Sequence, residues 1–400
     1  MKAYIPISSN KQRFYLDYKL LIILILFSIV SVFSIYLTQP LLSNYLLSQQ
    51  LYIKQIIWYL ISFSIMFIII QLGSDRLITG VNVLYYILLV FLMILVIDKY
   101  IIDINDSLIK PINGATAWYN IPLVGSFQPS EFMKVILIIK IGITIYQHNI
   151  DKQTFTYKDD IELFFKLFKL LVLPILLILV QPDNGIPLII FVSLLFMLYV
   201  GGIKKEWFII GGLVLFIIIV IFIYLLFFNR DLLNDLFNNN YILYRIYGWL
   251  FNEEYYLSYG NQLYTSLLSI GNSGLLGSGL MESVVPLSEV YTDFIFTIIA
   301  QNFGFIGTFF TILLILILDL YLLYLVYITP YNVEKMIIVG LCSMLIYQQI
   351  QNISMVIGLL PITGITLPLI SYGGSSLLSY FIPLSFVFNG YSNMRNNKII

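Results

Sequence analysis

Apolar stretches long enough to cross a bilayer succeed one another along the chain, most of them separated by short polar connections. A span takes about 20 apolar residues, and ten segments approach or exceed that length, at 19–38, 53–72, 78–98, 129–147, 164–181, 186–202, 206–228, 293–327, 334–360 and 375–394. The pattern predicts an all-α polytopic membrane protein of about ten transmembrane helices. An even count places both termini on one side. Two connections are long, 99–128 and 229–292, and long connections commonly carry function. The expected layout is an N-terminal segment over 1–18, one membrane domain over 19–394 and a tail over 395–400.

Charge orients this layout. With both termini cytoplasmic, fourteen of the 21 Lys and Arg residues lie on inner segments and five on outer ones. This is the asymmetry of the positive-inside rule, and the reverse orientation inverts it. The long loop between helices 7 and 8 is then outside, together with Asp98, Asp103, Asp106, Asp183, Glu253, Glu254, Glu282, Glu289 and Asp293.

Composition supports the membrane assignment: 60% of residues are hydrophobic, 10% are charged and mean hydropathy is +0.93, too apolar for a soluble domain of this size. Basic and acidic residues balance at 21 each, so net charge points to no nucleic-acid partner. One cysteine, Cys342, and one histidine, His148, leave neither a disulfide framework nor a Cys/His metal site. The basic N-terminus leads into an apolar run with no small-residue cleavage site after it, so that run is expected to persist as the first helix.

Ionisable groups near hydrocarbon are costly, and they mark either a functional site or a helix end that has reached water. Asp293, in "VYTDFIFTIIAQNFG" (Val290 to Gly304), stands at the outer mouth of the eighth segment. In "SFQPSEFMK" (Ser126 to Lys134), Pro129 suits an early helical position, and Glu131 and Lys134, three apart, share a face. Either they form an ion pair that snorkels to the interface, or Lys134 is held in a polar cavity to meet an anionic headgroup.

"QPDNG" (Gln181 to Gly185) reads as a tight outer turn in which Asp183 is a turn residue on turn chemistry alone. "TSLLSIGNSGLLGSGL" (Thr265 to Leu280) reads as a loop that re-enters or lies on the membrane surface. "GLLPITGITLPLISYGGSS" (Gly358 to Ser376) reads as ordered backbone near the outer face, presenting amide N–H and hydroxyl groups to a phosphate. Asp319 and Lys140 lie inside apolar segments with no partner evident. No internal repeat is visible, which weighs against an inverted-repeat transporter.

Taken together, "NGATAWY", "FQPSEFMK", "QPDNG", "SLLSIGNSGLLGSG", "TDFIF" and "NISMVIGLLPITGITLPLISYGGSS" resemble, in order and spacing, the motifs of the SEDS family (shape, elongation, division and sporulation). These are the RodA/FtsW polytopic proteins of bacterial cell-wall synthesis, and the "INGATAWY" and "QPSEFMK" stretches lean toward the RodA-like branch. The resemblance implies an inverting peptidoglycan glycosyltransferase. Its substrate would be lipid II, a disaccharide-pentapeptide on undecaprenyl pyrophosphate, polymerised into glycan at the outer face of the bacterial plasma membrane.

The family's "TDFIF" aspartate falls on Asp293, implied as the general base, and Glu131 and Lys134 match the "QPSE" helix start and its following lysine. The implied substrate-binding set adds Trp118, Asp183, Ser371, Gly373, Gly374, Ser375 and Ser376. Lys134, the backbone around Ser371 to Ser376 and a divalent cation, Mg2+ or Mn2+, are the candidates to meet the leaving pyrophosphate; no other cofactor is implied. A class B penicillin-binding protein is the implied partner. Its docking surface is expected on the eighth and ninth segments, where Gly304, Gly307 and Gly340 permit close helix approach.

Departures from the family pattern fall mainly on charged positions. Thr116 and Ala117 stand where basic residues commonly follow "GA", Tyr291 replaces a histidine, Ser288 a proline, Ser278 the lysine of "GKG", and Gln301-Asn302 an "EE" pair. Two alternative functions follow: a lipid II flippase, or a catalytically weak scaffold for a cell-wall transpeptidase. The clustering of motif residues on the outer side disfavours the flippase, whose path should be polar from face to face.

Overall fold

The computed structural model describes residues 14–100, 109, 116–121, 125–152, 156–236, 241–282, 285 and 287–396. Most of the expected N-terminal segment, the end of the tail and much of the loop 99–128, including the "NGA" of the first motif, lie outside the described residues.

The chain is helical almost throughout, because hydrocarbon offers backbone N–H and C=O groups no partner other than one another. In chain order the helices are α1 (Tyr18–Leu37), α2 (Asn44–Ser48), α3 (Leu51–Leu72), α4 (Ser74–Tyr100), α5 (Pro129–Asp151), α6 (Tyr157–Val180), α7 (Gly185–Val200) and α8 (Lys205–Phe228). They continue as α9 (Arg230–Leu236), α10 (Tyr241–Leu250), α11 (Asn261–Ser273), α12 (Ile295–Ile328), α13 (Val333–Val356) and α14 (Gly374–Asn396). An antiparallel hairpin, β1 (Tyr119–Ile121) and β2 (Gly125–Phe127), pairs Tyr119 with Phe127 and leads straight into α5. A helix occupies each of the ten predicted segments. Seven of them, α1, α3, α4, α6, α8, α12 and α13, are long and apolar enough to cross a membrane on those criteria alone.

Helix ends are fixed by local chemistry. Asp17 caps α1 by accepting from the N–H groups of Lys19 and Leu20, and Tyr321 of α12 donates to its other oxygen at 2.6 Å. Thr156 and Asp159 form a reciprocal capping box on α6. Asn332 caps α13. These contacts gather the starts of α1, α6 and α13 with the ends of α7 and α12 at one end of the bundle, where Lys152 pairs with Asp160 at 3.3 Å and Asp160 also accepts from the Lys204 N–H.

α13 is the axis of the core. Of its most apolar stretch 78% is buried, by α5, α7, α12 and α14, against 6% for α8, which lies along α9 with Leu226 its one buried residue. The expected docking surface on the ninth segment is therefore corrected. A Cβ on Gly340 would fall 2.4 Å from Ile138 and 2.8 Å from the Met197 sulfur, so this small residue serves packing inside the chain.

The eighth segment is also revised. α12 begins at Ile295, which leaves Asp293 outside the helix, and Gly304 interrupts it with φ +62° and ψ −151°. The N–H groups of Phe305 and Ile306 turn instead to the carbonyls of Gly274 and Leu275, at 3.0 and 3.2 Å, and Ser278 N–H donates to the Gln301 carbonyl at 2.8 Å. Gly277 and Gly304 meet so closely that a Cβ on either would lie about 2.5 Å or less from the other strand's backbone. The Thr265 to Leu280 stretch is thus not a loop throughout. Residues up to Ser273 form α11, packed on α12, and only the glycine-rich remainder is irregular, docked into the kink.

Asp319 and Lys140, unexplained by sequence, both have partners. The Gln349 amide, oriented with its nitrogen toward the carboxylate, donates to the Asp319 oxygens at 2.9 and 3.1 Å. Lys140 donates to Asn82 at 2.6 Å and lies over the Tyr85 ring.

Candidate active site at one end of the bundle

The irregular segment between α13 and α14 is the floor on which the predicted site residues converge. Its backbone is held from one side by three side chains of α1 and α3. Tyr59 donates to the Leu369 carbonyl, Ser31 to Ile370 at 2.7 Å and Gln55 to Ser371 at 3.3 Å, three carbonyls in succession. From the other side, Ser371 Oγ donates to the Thr292 carbonyl at 2.7 Å and Tyr372 N–H to Tyr291 at 2.8 Å. Asn352 at the end of α13 bridges the Asp293 and Ile365 carbonyls, both at 2.8 Å. Side chains thus take up several of the carbonyls that a helix would have satisfied, as burial requires.

Asp293 sits in a turn that reverses on Glu289, whose φ is +53° and whose carboxylate accepts from Thr292 at 2.9 Å. Its carboxylate overlooks Gly364, itself at φ +73°. A Cβ there would be 3.4 Å from Asp293 Oδ2 and 3.7 Å from an Arg245 guanidinium nitrogen. Burial, then the nearby Glu289, pushes the Asp293 carboxyl up to about 7, with Arg245 opposing.

A carboxylate that titrates near neutrality is suited to act as a general base toward a hydroxyl group. Turnover is therefore expected to rise with pH as Asp293 ionises and to fall away as pH drops through about 7. Glu289→Gln, by removing a neighbouring negative charge, should move that limb to lower pH. A pH–rate profile that is flat from 5 to about 8 would contradict the assignment.

The second group lies across the same floor, because Ile365, next to Gly364, is where a Cβ on Gly185 would make contact at 3.1 Å. Here Lys134 pairs with Glu131 at 2.7 Å, fully buried, its ammonium 4.7 Å from the centre of the Tyr380 ring. It does not snorkel. Asp183 is more than a turn residue. It accepts from Gln128 at 3.0 Å, Ser130 at 3.2 Å and the Ile186 N–H at 3.4 Å, and burial beside Glu131 pushes its carboxyl up to about 6.

Ser375 accepts from the Gln128 N–H and donates to Ser126, tying the start of α14 to the hairpin. Ser376 donates to Gly373, and Gly374 faces Trp58 so closely that a Cβ would fall 2.1 Å from its ring. The hydroxyls of Ser371, Ser375 and Ser376 are therefore engaged in bracing backbone, where sequence suggested they would face a phosphate. Trp118 stands half-buried just before β1, and among the described residues no hydrogen bond ties it to either group.

Arg245, Asn352, Gln128 and Tyr380 complete the site, and sequence reasoning gave none of them a role. Asn352 opens a motif that was recognised, whereas Arg245 is signalled only as a lone charge in the aromatic run "YILYRIYGWL". Two of the family departures prove to be adjacent: Ser278 and Gln301 are joined through their backbones.

The molecule is a polytopic helical membrane protein whose acid-bearing site lies at one end of the bundle. Residues 15–395 match the family described as Cell cycle protein, FTSW_RODA_SPOVE. The chain belongs to that family. It is 31% identical over 360 residues to the probable peptidoglycan glycosyltransferase FtsW of Wigglesworthia glossinidia brevipalpis, covering 86% of this chain and 84% of that one. It is also 31% identical over 287 residues to stage V sporulation protein E of Bacillus subtilis strain 168, covering 69% and 71%.

Among solved structures, a chain from a study of polymerization and crosslinking by a peptidoglycan synthase complex aligns with a TM-score of 0.71 at 22% identity, over 93% of this chain and 96% of that one. The rod shape determining protein RodA of Thermus thermophilus aligns with a TM-score of 0.63 at 22% identity, over 95% and 97%. At that identity the likeness is one of fold. The relatives by sequence bear FtsW and sporulation names and the neighbours by fold include RodA, so the RodA-like branch is not singled out.

Proposed function

We propose that this chain is a peptidoglycan glycosyltransferase of the bacterial plasma membrane that polymerises lipid II, with both termini cytoplasmic and Asp293 facing outward. The observation that carries the reading is the Asp293 carboxylate, raised toward neutrality beside Arg245 on a braced floor that a glycine leaves open. Asp293 takes the proton from the 4-hydroxyl of the acceptor's N-acetylglucosamine as that oxygen attacks the anomeric carbon of the donor's N-acetylmuramic acid. The bond to undecaprenyl pyrophosphate breaks with its electron pair on the leaving oxygen. One displacement converts the α-linked donor to a β-1,4 glycan, so no second nucleophilic carboxylate is required.

Among the described residues no three Asp, Glu, His or Cys side chains converge as a metal cage. A Mg2+ or Mn2+ ion would accordingly depend chiefly on pyrophosphate oxygens and water, in the manner usual for Mg2+. The deciding experiment is reconstitution in vesicles with labelled lipid II, with and without EDTA. Polymer is expected; lipid II crossing the bilayer without polymer would replace this reading with transport.

A class B penicillin-binding protein is the proposed partner, and its membrane helix fits α12 below the kink. Phe305, Phe309, Ile312, Leu316 and Leu320 form one exposed apolar stripe there. Co-expression should raise polymerisation, and Phe309→Ala with Leu316→Ala should lower co-purification. Recovery of full activity with no partner bound, from mildly solubilised native membranes, would count against it.

A further inference from the structure

We propose that Asn352 is a positioning residue for glycosyl transfer: its one amide group ties the Asp293 turn to the floor of the site and sets where the carboxylate meets the acceptor hydroxyl. The inference rests on the reading of Asp293 as base and goes beyond it by naming what holds that base in place.

Asn352 lies one turn before the end of α13 and is fully buried. A primary amide carries two N–H donors. Here they serve two different chain segments, the Asp293 carbonyl and the Ile365 carbonyl, each at 2.8 Å. Turned the other way, the amide would set its oxygen against two carbonyl oxygens, so its orientation is determined. Leucine has the shape without the donors, aspartate has acceptors in their place, and serine or threonine has a single donor.

The bond to Ile365 also fixes its neighbour Gly364, where a Cβ would lie 3.4 Å from Asp293 Oδ2. One nitrogen atom thus holds both the backbone that carries the acid and the backbone that the acid overlooks. The same face of α13 serves the second group of the site. Gln348, one turn earlier, donates to the Tyr380 hydroxyl at 3.1 Å, and the Tyr380 ring lies against Lys134. Misplacing a reacting group by about 1 Å can cost about 10²-fold in rate, so a brace of this kind acts on turnover more than on binding.

The charged and titratable groups that face the carboxylate are Glu289 in its own turn, Arg245 of α10 and the Tyr291 phenol. Burial is the first cause of its raised pKa and Glu289 the second. Loosening the turn lets the carboxylate reach water and draw away from Glu289, and both changes lower the pH at which it ionises.

Gln351, adjacent on α13, supplies the control. It is also buried and donates twice to the floor segment, to the Pro361 carbonyl and the Thr363 hydroxyl, both at 3.3 Å. Among the described residues, none of its hydrogen bonds reaches the Asp293 turn. The full chain carrying Asn352→Leu or Gln351→Leu is compared with wild type in vesicles, with labelled lipid II. Both variants should melt at lower temperature. Asn352→Leu alone should lower kcat about tenfold or more, with KM within about twofold, and move the acid limb of the pH–rate profile to lower pH. Asn352→Gln, which keeps both donors on a longer arm, should lie between. Infrared titration of the protonated-carboxyl band that Asp293→Asn removes follows the carboxylate without catalysis, and that titration should move to lower pH in Asn352→Leu alone.

The proposal needs both the kcat loss and the titration shift. Absence of either in Asn352→Leu, or equal changes in Gln351→Leu, would overturn it. Should Asn352→Leu fail to give monodisperse protein, Asn352→Gln decides: a lowered kcat with a shifted titration supports the brace, and wild-type values refute it. Failure of the base reading would show separately, as turnover by Asp293→Asn itself.

Discussion

Asp293→Asn is expected to abolish glycan synthesis, by at least about 10²-fold, the contribution typical of a positioned general base, while the protein stays folded and still binds lipid II. The backbone of residue 293 is held through its carbonyl by Asn352, and its neighbours by Ser371 and Tyr372. None of these contacts uses the carboxylate, so an isosteric amide leaves the turn intact. It also removes one of two neighbouring acids, which relieves the repulsion from Glu289 that contributes to the raised pKa. Melting temperature in detergent should therefore hold or rise slightly. Purified Asp293→Asn protein that forms polymer at near the wild-type rate would remove this residue from the mechanism.

What the sequence could convey follows from the range over which each interaction acts. A membrane helix is a contiguous requirement, since its backbone must satisfy itself within one segment, and helices accordingly fall where the apolar runs do. The capped starts at Asp17, Thr156 and Asn332 are equally local. The kink in α12 is different in kind. Gly304 reads as an ordinary small residue until Gly274 and Leu275, on another element, supply the carbonyls that its break leaves wanting.

The site divides in the same way. Asp293, Glu131 and Lys134 announce themselves as charges at helix mouths, but Asp183 looks like turn chemistry until Gln128 and Ser130 are seen to donate to it. Arg245 reaches Gly364 only because α10 folds back onto a segment more than a hundred residues further along. Two of the glycines expected as docking points, Gly304 and Gly340, serve packing inside the chain instead, because smallness signals close approach without saying whose. At Gly340 the neighbours are Ile138 and Met197 of the same chain.

Lys134→Ala should cost both activity and stability, and far more of each than Lys140→Ala. Lys134 is wholly buried and neutralises Glu131, whose charge in turn helps to raise the pKa of Asp183. Removing the cation leaves two carboxyl groups in one enclosed place with no compensating charge, a loss on the scale of about 3–5 kcal/mol for breaking a buried pair. Lys140 is bonded to a neutral amide and lies over a tyrosine ring, so its removal strands no charge and should stay near about 1 kcal/mol. Exchanging the pair, Glu131→Lys with Lys134→Glu, is not expected to restore function, because the ring face of Tyr380 that now meets an ammonium would meet an anion. Thermal melting and lipid II polymerisation measured on all three variants decide the matter. Equal losses from Lys134→Ala and Lys140→Ala would show that the buried pair contributes no more than any intramembrane lysine.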